Sequence, residues 1–390
     1  MKDQFKIPTN RKNMCIAMIV LGALVLAYSF YSQGTRAWTN VLINNFYFTT
    51  LALGGLFFMA LTGVAKTSWM TPYKRIPEAM MSFLPVALVL MAVLAFFGIH
   101  SLYEWSHVEV VAKDPLLSKK TAYLNTNFFI LRMVFFFGIW IILSRIFLKF
   151  SHAQDSGVDK SKSIVKVSAI TLILFGLSFS FASFDWIMSL EPHWFSTIFA
   201  IYTFSGLFVS TIAFITLTII ILQSLGYLRD AVNENHFHDL GKWLFGFSTF
   251  WAYIWFSQYM LIWYSNIPEE TEYFVLREHH NWDWLFYFNL LINWLIPFFA
   301  LMSRNSKRNK FILSRVCVLL LVGHWLDIYL MVSPKVFEIH GLEATVGLVE
   351  IFTACGYAGL FCLVVGNYLS KHKIKSEADP FYKEGLHLHQ

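Results

Sequence analysis

The sequence predicts an all-α, polytopic membrane protein, and three observations carry that prediction: composition, the lengths of the apolar runs, and the side on which basic residues collect. Of 390 residues, 57% are hydrophobic, 18% aromatic and only 14% charged, whereas a soluble domain carries about 25% charged residues. A hydrocarbon core of roughly 30 Å needs about 20 apolar residues of helix. Ten runs approach or exceed that length, near 14–32, 46–65, 79–100, 125–148, 164–184, 194–223, 241–264, 283–302, 312–332 and 343–369. Ten crossings place both termini on one side. Of the 30 Lys and Arg residues, 23 fall on that side, 6 on the other, and Arg132 alone lies deep within a run, away from its inner end. Basic residues accumulate in cytoplasmic loops, so both termini are expected to be cytoplasmic. The loops near 33–45, 101–124, 185–193, 265–282 and 333–342 are then outside. The net charge of +6 is explained by this asymmetry without nucleic acid.

The first run follows Lys2, Lys6, Arg11 and Lys12, the flank of a secretory signal. No small-x-small cleavage site follows it, so it is expected to remain as a helix. Runs two to five and six to nine read as two four-helix bundles related by duplication, with runs one and ten flanking them. The signature is an aspartate ending an apolar run, a proline seven residues later and a phenylalanine three beyond: Asp185, Pro192 and Phe195, then Asp327, Pro334 and Phe337. Blocks of four crossings preserve membrane direction, so the repeats are parallel and both aspartates reach the outer face. The expected organisation is an N-terminal helix and loop (1–45), a first bundle (46–193), a second bundle (194–342), and a tenth helix with a cytoplasmic tail (343–390).

Ionisable residues crowd toward the outer face. Asp185 ends the fifth run, Glu191 and His193 lead into the sixth, and Asp327 closes the ninth. His324 lies one helical turn before Asp327 on the same face, close enough to hydrogen-bond or relay a proton. Arg132 and Glu350 fall about two turns inside the outer ends of the fourth and tenth runs. A lone charge at membrane depth is costly, so Arg132 is expected to pair with a carboxylate such as Asp185 or Asp327. For Arg132 and Glu350 the alternatives are a structural salt bridge, proton or quinone chemistry, or helix boundaries placed differently from the runs above. Residues at helix ends, Asp185 and Glu191 among them, can also be ordinary interface residues. The sixth run is rich in hydroxyls, at Thr203, Ser205, Ser210, Thr211, Thr216 and Thr218. These can carry a proton or bond their own helix backbone.

The four cysteines sit inside apolar runs with no CxxC pair, which argues against disulfides and iron–sulfur ligation. His100 and His324 are the only histidines within runs, which disfavours a dihaem cytochrome. HExxH, GxSxG and P-loop patterns are missing from the sequence, leaving protease, serine hydrolase and NTPase readings unsupported. The expectation is a chain with no metal or covalent cofactor and no redox centre of its own.

The stretches FASFDWIMSLEPHWFSTIF (181–199), FWAYIWFSQYMLIWYSNIPEET (250–271) and GHWLDIYLMVSP (323–334) resemble the ActF family of alternative complex III subunits. These are NrfD-like, polysulfide-reductase-type membrane proteins, and the resemblance runs from the second helix to the tenth. It implies a ten-helix subunit of a quinol:cytochrome c (electron acceptor) oxidoreductase in a bacterial inner membrane. Its partners would be an NrfD-like sister subunit, an iron–sulfur protein, c-type cytochromes and a terminal oxidase. Iron–sulfur clusters and haem c would reside in those partners, and a quinone (menaquinone or ubiquinone) or lipid could bind the membrane part. The sister subunit is the better candidate for quinol oxidation. Asp185, His324 and Asp327 fall in the resembling stretches and are the candidates for proton handling. A proton-coupled secondary transporter is the alternative reading. The internal repeat favours it, and the parallel sense of that repeat opposes it.

Overall fold

The computed structural model describes residues 4–279, 281–386 and 388. Ten long helices form the body: α1 (Thr9–Ser32), α2 (Gly34–Val64), α3 (Arg75–Phe97, with a break at Ser82 and Phe83), α4 (Thr126–Asp155) and α5 (Ser161–Trp186) come first. They are followed by α6 (Phe199–Ser224), α7 (Glu234–Ser265), α8 (Asp283–Ala300), α9 (Lys310–His340) and α10 (Leu348–Lys371). Among the described residues, nine of these are long and apolar enough to cross a membrane. The chain is therefore an all-α, multi-pass membrane protein. The exception is α7, which has 32 residues but carries Trp243, Trp251, Trp255, Trp263 and Gln258, side chains that lower its apolarity without shortening it.

An antiparallel bridge between Gln4 and Lys373 holds the N- and C-terminal segments together at one end of the bundle, here the terminal end. The tail is tied to the same end, because His236 at the start of α7 hydrogen-bonds the Gly385 carbonyl and Lys74 pairs with Asp379. Helices α2 and α9 are central, 78% buried along their apolar stretches, against 11% for α1. Helix α2 packs on α3, α5, α6, α9 and α10. Helix α1 lies against α10, where a Cβ on Gly22 would come within 2.6 Å of the Gly356 Cα. Small residues that let backbones approach this closely are a common means of packing helices in lipid.

Three expected boundaries are corrected. Residues 33–45 are not a loop, since α2 begins at Gly34 immediately after Gln33. Its polar first turns are buried against partners on other helices: Asn40 meets Glu350, Asn44 accepts from Trp325, and Asn45 bonds Tyr357 and the Leu90 carbonyl. Residues 333–342 are not a loop either, because α9 continues through Pro334 to His340. A helical proline removes one N–H and frees the carbonyl four residues earlier. Here that carbonyl, Leu330, accepts from Arg277 Nε at 2.9 Å, and Met331 O accepts from Arg277 Nη2 at 2.9 Å. The guanidinium satisfies what the proline exposes, so the helix need not end. Lastly, α10 begins at Leu348 rather than near 343. Glu350 thus sits in its first turn instead of two turns inside it.

Candidate functional site

Because α9 runs on, Asp327 does not close a helix. It lies thirteen residues, about 20 Å, before the helix end and is 2% exposed. Four helices build its surroundings. Tyr202 of α6 donates its hydroxyl to Asp327 Oδ1, and Asn289 Nδ2 of α8 donates to the same oxygen at 2.8 Å. Trp251 Nε1 of α7 donates to Oδ2 at 3.0 Å. Asn293 Nδ2 in turn donates to Asn289 Oδ1 at 2.6 Å, within a π-helical stretch, Leu291–Leu295, that interrupts α8. Such bulges recur at functional positions in helices. Among the described residues no cation pairs with this carboxyl.

Asp327 also lines two small cavities. One, about 10 Å³, is lined by Tyr202, Gln258, Arg277 and Asn289. The other, also about 10 Å³, is lined by Tyr47, Thr203, Gly206 and His324. Each has about the volume that one water occupies. His324 is 2% exposed and both its ring nitrogens lack a protein partner. Its ring stands edge-on to Trp251 at 5.5 Å. The expected direct bond from His324 to Asp327 is not formed: the shared face brings both residues to one cavity, but the ring turns toward α6. Gly206 leaves room there, since a Cβ on it would lie 3.3 Å from His324 Nδ1 and 3.9 Å from Asp327 Oδ2.

Asp185 does end its helix, one residue before the α5 terminus, and it resolves the choice of partner for Arg132. Arg132 Nε and Nη2 reach its two carboxylate oxygens at 2.6 and 3.2 Å. The third guanidinium nitrogen donates to the Tyr123 carbonyl at 2.9 Å, and the Tyr123 and Phe128 rings cover the guanidinium at 3.9 and 4.3 Å. This planar, two-pronged pairing suits arginine and holds both side chains in place.

The remaining candidates divide between two buried pairs and one exposed contact. Glu350 accepts from Arg36 Nε at 2.7 Å, Arg36 Nη2 at 2.9 Å, Asn40 at 3.1 Å and the Gly347 N–H at 2.7 Å. That arrangement locks α10 to α2 and matches the structural salt bridge. Glu191 pairs with Arg277 at 2.7 Å, beside the proline of α9. His193 is 51% exposed and reaches Asp114 at 2.8 Å. Asp114 also accepts from the Leu116 and Leu117 N–H groups at the start of a short helix. The Leu117 N–H is the main cause holding its carboxyl below the ordinary 3.8, with the Leu116 N–H and His193 adding to it. Of the α6 hydroxyls, Thr203, Ser205, Thr211 and Thr216 bond carbonyls of their own helix.

The sequence reading overlooked Tyr202, Trp251, Asn289 and Asn293. The two asparagines, one turn apart inside an apolar run, were the available signal, because an amide in hydrocarbon needs a partner. Among the described residues no three His, Cys, Asp or Glu side chains are placed to hold a metal ion. No protein-family model and no curated protein matches the chain.

Proposed function

We propose that this protein is an integral membrane subunit of a respiratory quinol:electron acceptor oxidoreductase, without a redox centre of its own, in which Asp327 exchanges protons. The observation that carries the proton role is the Asp327 carboxyl itself: buried, uncompensated by a cation, and set between two water-sized cavities. Buried ionisable groups in membrane helices are retained for function or for pairing, and Asp327 is not ion-paired. The complex-subunit role rests on the resemblance to NrfD-like subunits. The residues of two resembling stretches meet here, since Trp251 of the second bonds Asp327 of the third.

In this scheme one cavity leads from Asp327 toward the Glu191–Arg277 pair and the other toward His324. The Tyr202 hydroxyl and the His324 imidazole can each both donate and accept, so they flank the carboxyl with groups able to pass a proton. Asp185, fixed by Arg132, serves as a structural counterpart. Electrons would travel through iron–sulfur clusters and haem c in partner subunits, with quinol (menaquinol or ubiquinol) oxidised beside or within the neighbouring NrfD-like subunit. The membrane would be a bacterial inner membrane, with the terminal end cytoplasmic.

A proton-coupled transporter would also use a buried carboxyl, but cavities of about 10 Å³ suit water rather than a solute. Gentle solubilisation and affinity purification of the full chain tests the proposal. Co-purification with haem c and iron–sulfur proteins is expected. Recovery as a lone chain that drives solute uptake in proteoliposomes would overturn it.

A further inference from the structure

At the terminal end a cleft of about 420 Å³ opens between the last turns of α2, the end of α4 and the start of α5. Its walls are mostly apolar, with Met59, Phe147, Ile164 and Val165 beside buried Thr62, Ser151 and Gln154, and exposed Lys66, Lys162 and Lys166 also line it. All three lysines are exposed, and among the described residues none is within ion-pair distance of a carboxylate. Of the nearby acids, Asp379 in the cleft wall pairs with buried Lys74, Glu78 and Asp155 share Arg75, and Asp159, which accepts from Ser161 at the start of α5, also acts on Lys162. The mouth therefore keeps an excess of positive charge, with Lys66 and Lys166 outside ion-pair distance of any carboxylate among the described residues, over a greasy slot.

We propose that this cleft seats an anionic phospholipid, with its phosphate headgroup at Lys66, Lys162 and Lys166 and an acyl chain between α2, α4 and α5. The arrangement follows the division of a lipid into charged head and apolar tail. Basic pockets between helices at a membrane face attract anionic headgroups, and an acyl chain gains by filling an apolar slot that water would otherwise occupy. The same seat would bear on the tail, because Asp379 and Phe381 form one wall. A bound lipid would thus hold the C-terminal segment against the bundle. This inference is independent of the proton role of Asp327.

Native mass spectrometry and thermal unfolding of the full chain, in detergent supplemented with phosphatidylglycerol or with phosphatidylcholine, test the proposal. Phosphatidylglycerol is expected to remain bound and to raise the unfolding temperature more than phosphatidylcholine does. The variant K66Q/K162Q/K166Q should bind phosphatidylglycerol at least about tenfold more weakly. Val165→Trp, which fills the slot and leaves the charges, should also lose the lipid. R11Q/K12Q, basic residues outside the cleft, should keep it. Equal retention by the triple variant, or an equal loss in R11Q/K12Q, would overturn the assignment. Equal stabilisation by inorganic phosphate alone would also overturn it, because the cleft would then read the phosphate without the lipid.

Discussion

Asp185 and Asp327 occupy matching places in the sequence and opposite situations in the structure. Asp185 ends α5 and meets Arg132 with both oxygens, so charge answers charge. Asp327 sits within α9 and meets a phenol, an indole and an amide, none of them charged. The two prolines diverge likewise, since Pro192 lies outside any helix while Pro334 is carried inside one with help from Arg277. The difference teaches that a repeated carboxyl need not have a repeated duty. An arginine partner supplies a counter-charge and makes a brace, whereas neutral donors hold the carboxyl in place without one.

The sharpest way to break this comparison is to remove the brace. Arg132→Met leaves Asp185 as a buried charge without a partner, and the loss of stability should be about 3–5 kcal/mol, measured by unfolding in detergent. Adding Asp185→Leu should recover most of that loss, since replacing both members of a buried pair is often neutral. If the single variant is as stable as the native protein, Asp185 is not a structural carboxylate.

A smaller effect is expected at the other aspartate. Asp327→Asn retains one acceptor oxygen but presents an amide to one of three donors, so an opposed N–H pair should cost about 1–3 kcal/mol. Proton release by the assembled complex should fall sharply in the same variant. A variant with normal proton release would confine Asp327 to packing.

His324→Met should alter stability by less than about 1 kcal/mol in either direction, because neither ring nitrogen bonds the protein and burying them unpaired already carries a cost. Its effect should appear in proton transfer rates instead. The smallest effect concerns the exposed contact of His193 with Asp114. A carboxyl held below the ordinary 3.8 in the fold supports its loop above that pH and loses that support as pH falls through the lower folded value. Hydrogen exchange across residues 107–120 should therefore be unchanged near neutrality and accelerate only in strong acid, and Asp114→Asn should abolish that acid dependence.

Much of the fold was legible because an apolar run of sufficient length has one outcome in lipid, and each of the ten runs corresponds to a long helix. The errors lie where a residue's fate depends on another helix. Asn40, Asn44 and Asn45 look like a loop by their own polarity, yet each is buried against a partner on another helix. Pro334 looks like a stop until Arg277 is brought to Leu330. At the site, sequence showed that Arg132 needed a carboxylate and not which one. Helical spacing placed His324 and Asp327 together, but the direction of the imidazole is set by Gly206 and Trp251, which lie on other helices.

The central claim, that Asp327 rather than Asp185 exchanges a proton, is tested most directly by infrared difference spectroscopy of the assembled complex, reduced with quinol and reoxidised. A protonated-carboxyl C=O band should change during turnover, vanish in Asp327→Asn and persist in the Arg132→Met/Asp185→Leu double variant. A band that survives Asp327→Asn and disappears with Asp185 would contradict the account.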